Sequence, residues 1–334
     1  MMPKPLRPRQ FYSVRHHWQR QQGVAIITAL LVVMLAATIA TYLLAQQSRA
    51  LTRTERASER AQVSLYVAPT LDWARAVLQE TQKSTYTATN QAWAQPIAAQ
   101  PLINAGGTAN VFASGLIRDE AGKFNLNNLV KTDQSASAED IDIFKRLLKN
   151  LGLNPDLAEA VVDWLDKDSE PRANGAEDGY YTSLATPYRT ANQPMVQWQE
   201  LARVKGFDAK TLTRLAPFVT ALPIKTSTKG RTKINVNTAP NEIMSALLPE
   251  LPRDDMANLI RLRELPYLSV DDLVKRFPAL KNSATILDQF ADVRSKFFTV
   301  SVAITGEVAA SRQTALLDAS ESGVWPRIIW VQAQ

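Results

Sequence analysis

Twenty-three consecutive uncharged residues, GVAIITALLVVMLAATIATYLLA from Gly23 to Ala45, constrain this chain more than any other feature. As a helix rising ~1.5 Å per residue the run reaches roughly 33 Å, enough to cross a hydrocarbon core of about 30 Å. Lys4, Arg7, Arg9, Arg15 and Arg20 precede it, and the first acidic residue of the chain is Glu55. The excess of basic over acidic residues marks the cytoplasmic side of a span, so everything after residue 46 is expected across the membrane. A cleaved secretory signal fits poorly, because its apolar core is short and ends in a small-residue cut site. Here the apolar run is longer, and the position that resembles a cut, Gly23, lies before it. Beyond the run the pattern stays helical: residues 46–80 hold no Gly and one proline, Pro69, with Arg49, Arg53, Arg56 and Arg60 at i+3 and i+4 spacings. One helix is therefore expected to leave the membrane and continue for several turns.

The net charge of +6 comes from 38 basic and 32 acidic residues. The five basic residues ahead of Gly23 account for most of it, leaving 33 against 32. No basic globular face follows from that balance. With no cysteine, disulfides, thiolate nucleophiles and Cys-ligated zinc are excluded. Both histidines, His16 and His17, precede Gly23. If that segment is removed, His-dependent nucleophilic and general acid–base sites go with it. Neither a GxxxxGK[ST] nor a GxGxxG loop is present. An enzyme is not expected.

A basic leader, then Gly, then an apolar helix with a polar continuation resembles the type IV pilin and pseudopilin class. In that class a membrane peptidase cuts after the Gly and methylates the new N-terminus, which here places the cut between Gly23 and Val24. The class usually has Glu as fifth mature residue. This chain has Thr28, a neutral residue where an unpartnered carboxylate in lipid would be expensive. The segment is equally compatible with a plain anchor.

The remainder reads as a sheet interrupted by helices. Residues 81–110, rich in Thr, Gln, Asn and Ala, read as a loop. Residues 111–129, VFASGLIRDEAGKFNLNNL, read as two strands around a turn at Asp119–Lys123. Ser137 can cap a helix whose apolar stripe is Ile141, Phe144, Leu147, Leu148 and Leu151, ended by Gly152. Asn154-Pro155 starts the next, and further helix pairs are expected around Lys205-Gly206-Phe207 and Leu248–Asp254. FFTVSVAITGEV at 297–308 and the two segments after it return to strand patterning. FNLNNLV at 124–130 also matches INVNTAP at 234–240, a weak internal repeat.

INVNTAPNEIMSALLPELPRDDMANLIRLRE resembles helix-hairpin-helix segments of DNA-binding proteins, so a membrane-anchored DNA-binding or uptake protein is the rival reading. Such motifs grip phosphates through backbone N–H groups. The hairpin here, Pro249-Glu250-Leu251-Pro252, has two residues without one, and Glu250, Asp254 and Asp255 add repulsion. No nucleic acid partner is expected.

The densest polar stretch is DWLDKDSEPRANGAEDGYY, 163–181. Its alternating carboxylates suit a hard cation that takes 6–8 oxygens, although the spacing is not that of an EF-hand. A solvated acidic loop is the plain alternative. Trp164, Tyr180 and Tyr181 argue that the loop is pinned to a core.

This stretch, with PYRTANQPM at 187–195, the leader, Thr28, FNLN, INVNTAP and a closing β-hairpin, resembles the K-type minor pseudopilin family of type II secretion systems. The resemblance implies an α+β fold. An N-terminal transmembrane helix continues into a pilin-like helix packed on an antiparallel sheet, with a large α-helical insertion of helix-hairpin-helix/SAM-like kind. The divisions it implies are a leader at 1–23, a transmembrane helix at 24–45, a pilin-like domain from 46–130 and 291–334, and an inserted helical domain at 131–290. It implies a minor pseudopilin at the tip of a periplasmic pseudopilus, anchored by a single pass through the inner membrane with a cytoplasmic N-terminus. Its implied partners are the I- and J-type minor pseudopilins, other pseudopilins, the prepilin peptidase and the inner-membrane assembly platform. It also implies calcium in the acidic loop, carried to Asp166, Asp168, Glu177 and Asp178, with Asn192 as a further candidate.

Overall fold

The computed structural model describes residues 22–102, 111–224, 231–306 and 309–333. The chain divides into two compact units, Met1–Ser58 and Glu59–Gln334. The first is dominated by helix α1, Gln22–Leu65, which extends past its boundary. Its stretch Val24–Ser58 is long and apolar enough to cross a membrane. The polar side chains within the uncharged run do not compromise it: Thr28 donates to the carbonyls of Val24 and Ala25 at 3.0 Å, Thr41 donates to that of Ala37 at 2.8 Å, and Thr38 donates to that of Met34. Each of these threonine hydroxyls is satisfied by its own helix, as a nonpolar surrounding demands.

The expected single long helix is interrupted at Tyr66, after which α2 runs Val67–Thr81. Pro69 explains the break. It has no N–H to donate to residue 65, and its ring is tolerated only in a first helical turn.

In the second unit α2 packs on a five-stranded sheet of order β1-β2-β7-β8-β9, antiparallel throughout. The strands are β1 Ile97–Leu102, β2 Val111–Asp119, β7 Phe297–Thr305, β8 Ala310–Asp318 and β9 Arg327–Ala333. Val67, Leu71, Ala74 and Leu78 recur along one face of α2 and meet Ile117, Phe298, Val300, Val302, Ile304, Ala315 and Leu317 in one core. Trp93 closes it, edge-on to Phe298 at 5.3 Å. β1 falls where a loop was expected. Its sequence IAAQPL has little strand propensity, and Pro101 is tolerated because β1 is an edge strand.

Between β2 and β7 lies a helical block with its own large core. Here the expected hairpin at 111–129 gives way to a different pairing. β3, Phe124–Asn125, does not pair with β2 but lies parallel to β4, Val219–Thr220. β5, Ile234–Asn235, lies parallel to β6, Ala291–Asp292. The sequence repeat is thus a structural one, in which each half opens and closes on a two-residue parallel bridge. Such short bridges are marginal alone, and asparagines reinforce them. Asn127 donates to Met195 O at 2.9 Å and accepts from Met195 N at 2.8 Å. Asn237 donates to Tyr267 O at 3.0 Å and accepts from Tyr267 N at 2.9 Å.

The first half contains α3 Ala138–Asn150, α4 Leu157–Leu165, α5 Asp178–Thr182 and α6 Ala209–Leu215; the second contains α7 Asn241–Leu247, α8 Arg253–Arg261, α9 Val270–Arg276 and α10 Ala284–Phe290. The predicted stripe of α3 is buried from Ile141 to Leu151. Gly152 ends it at φ +62°, with Leu153 N–H returning to Leu148 O at 2.8 Å. Ser137 occupies the N-cap but makes no capping bond; its hydroxyl instead donates to Asp140 at 2.6 Å, and Arg231 holds that carboxylate from the other side. Asp119, at the end of β2, ties the second half to the sheet, accepting from Ser295 Oγ at 2.6 Å and Asn235 Nδ2 at 3.1 Å.

Candidate metal centre

The acidic stretch leaves the end of α4 and returns at the start of α5. Its anchor is Asp163, whose buried carboxylate accepts the Arg172 N–H at 3.1 Å and also bonds the backbone of Ala176. Arg172 reaches Glu159 at 3.1 Å, and Lys145 also pairs with Glu159. The loop therefore closes over a filled ionic network. Gly175 is required by close approach, since a Cβ there would collide with the Asp163 carboxylate. Trp164 stands edge-on to Tyr181 at 5.3 Å, and Lys205 lies over the Tyr180 ring at 5.1 Å. The loop is pinned to the core through these rings.

Three of the predicted ligands come together. Asp166, Asp168 and Glu177 each offer a carboxylate oxygen, all within 4.8 Å of one another. Asp166 and Glu177 are only 4% and 6% exposed, whereas Asp168 is open to solvent. Among the described residues, nothing hydrogen-bonds to Asp166 Oδ1 or Glu177 Oε1. Burial, reinforced by the neighbouring Asp168 and Asp163, pushes Asp166 up to about 6. Burial, with Asp163, Asp166, Asp168 and Asp178 around it, pushes Glu177 up to about 7. Buried carboxylates without donors are costly, and a cation removes the cost.

The other two candidates differ. Asp178 Oδ1 is taken by Thr190, from N–H at 2.9 Å and from the hydroxyl at 2.8 Å. The Thr190 hydroxyl and N–H hold Asp178 below the usual carboxylate range. It is outside the group of three. Asn192 adopts φ +47° and donates its N–H to Trp164 O at 3.1 Å, two residues before Asp166. Its Oδ1 is buried without a partner. The donors suit a hard cation: oxygens on opposite sides of calcium stand about 4.6–5.2 Å apart, and three carboxylates plus an amide oxygen are its ordinary ligands. The anchor role of Asp163 was not legible in the sequence, where it is one more acid in a run. The Asn-Gly before Glu177 was the one signal of a tight return.

Gly23 and Val24 lie in the first turn of α1, and Thr28 one turn on. The hairpin of the rival reading offers little to a phosphate: Pro249 and Pro252 have no N–H, and Leu248 and Leu251 spend theirs on Met244 and Leu248. The turn after α3 is no freer, since Leu151, Gly152 and Leu153 spend their N–H groups on Leu147, Lys149 and Leu148.

Two sequence models, each described as type II secretion system (T2SS), protein K, match residues 122–224 and 234–293, one on each half of the helical block. The type II secretion system protein K of Pectobacterium carotovorum subsp. carotovorum is 33% identical, with 90% of this chain and 93% of that protein aligned. That of Klebsiella pneumoniae is 31% identical over 89% and 92%. A crystal structure of the GspK-GspI-GspJ complex from enterotoxigenic Escherichia coli has a chain that superposes with a TM-score of 0.71 at 24% identity, covering 84% of this chain and 99% of its own. With similarity of this extent in sequence and in fold, the chain belongs to the type II secretion system protein K family.

Proposed function

We propose that this chain is the K-type minor pseudopilin at the tip of a type II secretion pseudopilus. There it nucleates or caps assembly with I- and J-type minor pseudopilins, so that folded proteins are exported across the outer membrane. The observation that carries the reading is the similarity to protein K relatives over nine-tenths of the chain. The described relative solved with GspI and GspJ supports the choice of partners. The role is structural rather than enzymatic. In this reading residues 1–23 are a leader cut between Gly23 and Val24, and the apolar part of α1 holds the chain in the inner membrane with its bulk in the periplasm. Thr28 is the neutral substitute for the usual Glu. The sheet with α2 is the pilin-like domain, and the helical block is its helix-hairpin-helix/SAM-like insertion. A block of that bulk fits an end of a filament better than a repeating position within it. Asp166, Asp168 and Glu177 hold calcium, with Asn192 completing the oxygen set and Asp178 fixing the loop beside it. Calcium supplies charge compensation there and no chemistry.

The test is co-expression with the I- and J-type pseudopilins and the prepilin peptidase, followed by affinity purification and N-terminal sequencing. A ternary complex whose K-type chain starts at methylated Val24 is the expected result, and Gly23→Ala should leave the leader in place. A chain that purifies alone and starts at Met1 would return α1 to a plain anchor.

A further inference from the structure

We propose that one face of α1, carrying Tyr42, Arg49, Arg53 and Arg56, is a docking surface for the headgroups of anionic phospholipids on the far side of the membrane from the leader. The inference rests on the membrane topology proposed above. α1 is unbroken from Gln22 to Leu65, so positions within it share a single helical register. Tyr42, Arg49, Arg53 and Arg56 stand at i, i+7, i+11 and i+14, which places them within about 60° of one another around the axis. Glu55 lies roughly 120° away from Arg49. Tyr42 is 68% exposed, and all three arginines are exposed and without an ion-pair partner among the described residues.

Depth selects the occupant. The apolar run ends at Ala45, so Tyr42 sits ~4–5 Å inside the hydrocarbon edge and Arg49 about 6 Å outside it. A tyrosine at that level belongs to the aromatic belt of a span. The headgroup layer is about 5–8 Å thick on each side. Side chains on a helix lean toward its N-terminus, here toward the bilayer, so Arg53 reaches back to the headgroups, while Arg56, about 16 Å beyond the hydrocarbon edge, adds to the field over them. A surface that straddles the hydrocarbon boundary cannot be followed by an acidic partner in the aqueous phase. It matches a phosphate layer above acyl chains. Arginine forks suit phosphate oxygens, and basic residues at a span's end recruit anionic lipid. The face would set both the depth and the rotation of α1 before the helix leaves the membrane.

The full-length protein, reconstituted into phosphatidylcholine vesicles with a trace of spin-labelled phosphatidylglycerol or phosphatidylcholine, gives the relative association of the two lipids by electron spin resonance. Insertion is scored separately by resistance to carbonate extraction. The expected preference for phosphatidylglycerol is up to about fivefold at low salt, the value for one arginine at the headgroups, falling toward parity in roughly 0.5 M salt. The Arg49→Gln/Arg53→Gln/Arg56→Gln variant should insert normally and lose at least half of the excess. An inserted protein with no lipid preference, or with a preference the variant keeps, overturns the inference while leaving the topology intact. A variant that keeps the preference but no longer purifies with its pseudopilin partners identifies a helix–helix face instead and also overturns it. A protein that carbonate removes overturns the topology together with the inference.

Discussion

In the first half of the helical block Asn127 grips both backbone groups of Met195, and in the second half Asn237 grips those of Tyr267 in the same way. Each half is also closed by a two-residue parallel bridge. Around that common frame the halves carry opposite burdens. The first buries carboxylate oxygens of Asp166 and Glu177 without donors, and the second buries Nε and Nη2 of Arg263 without acceptors. The frame is complete in the second half without any acidic loop. The buried acids of the first half have no counterpart in that frame, and a bound cation would offset their cost. Arg263 is less costly, since its Nη1 donates to Ala239 O at 2.6 Å and burial lowers it only to about 10, leaving it charged.

The equivalence of the two clamps is the most exposed part of this comparison. Asn127→Ala and Asn237→Ala each orphan a buried N–H and C=O, and each should cost about 2–4 kcal/mol in urea unfolding of the detergent-solubilised protein. A clamp whose removal costs under a third of the other's would show that the halves share geometry without sharing its energetic weight.

Calcium should then separate them. At a hundredfold excess over its dissociation constant, a cation bound only by the folded state adds about 2.7 kcal/mol. That gain should vanish in Asp166→Asn/Glu177→Gln and persist undiminished in Arg263→Met. The pH dependence has a definite sign. Asp166 and Glu177 rise from ordinary values of 3.8 and 4.5 to about 6 and about 7 in the metal-free fold, so the folded state binds their protons more tightly than the unfolded one. These groups therefore favour folding below about pH 4, and that contribution is lost as pH rises through 6 to 7. Because the carboxylates are mutually coupled, the loss should appear as one broad phase. Chelated protein should show a falling melting temperature across this window, and saturating calcium should flatten or reverse it. A chelated protein that is as stable at pH 7.5 as at pH 5 would return the acids to a solvated loop.

Arg263→Met sharpens the contrast with the smallest effect. It removes one hydrogen bond but also two unpaired buried nitrogens, and the balance should stay within about 1 kcal/mol of zero. A loss of several kcal/mol would reveal a counter-charge for Arg263.

Much of this architecture was legible in local chemistry. Gly152 marks a helix end, whereas Asn154-Pro155 form a turn ahead of α4, which starts at Leu157; β7 and β9 follow from their β-branched and aromatic runs, and β8 from its hairpin-like spacing between them. What escaped was non-local. β3 reads as half of a hairpin because nothing near it announces a parallel partner almost a hundred residues away at Val219. β1 has no propensity of its own and exists because β2 offers an edge to pair with. In the acidic loop the residue types allowed a cation site or a solvated loop, and the division of labour did not follow from spacing. Asp163 binds backbone and Asp178 binds Thr190, while Asp166 and Glu177 are left bare. Those roles depend on which N–H groups the fold delivers to each carboxylate.

Strands β2 and β7 are immediate neighbours in the sheet, with Asp119 opposite Phe298, yet the whole helical block separates them along the chain. Closing that distance with a flexible chain would cost entropy growing only with the logarithm of its length, but it would slow the search for the pairing. A folded block changes the search, because its two ends already stand together where Asn235 and Ser295 both meet Asp119. The arrangement predicts an order of events, in which the block forms before the sheet and its closure delivers β2 to β7 as a ready-made turn would. A mutation that slows the block should therefore slow the sheet, even where it touches no strand.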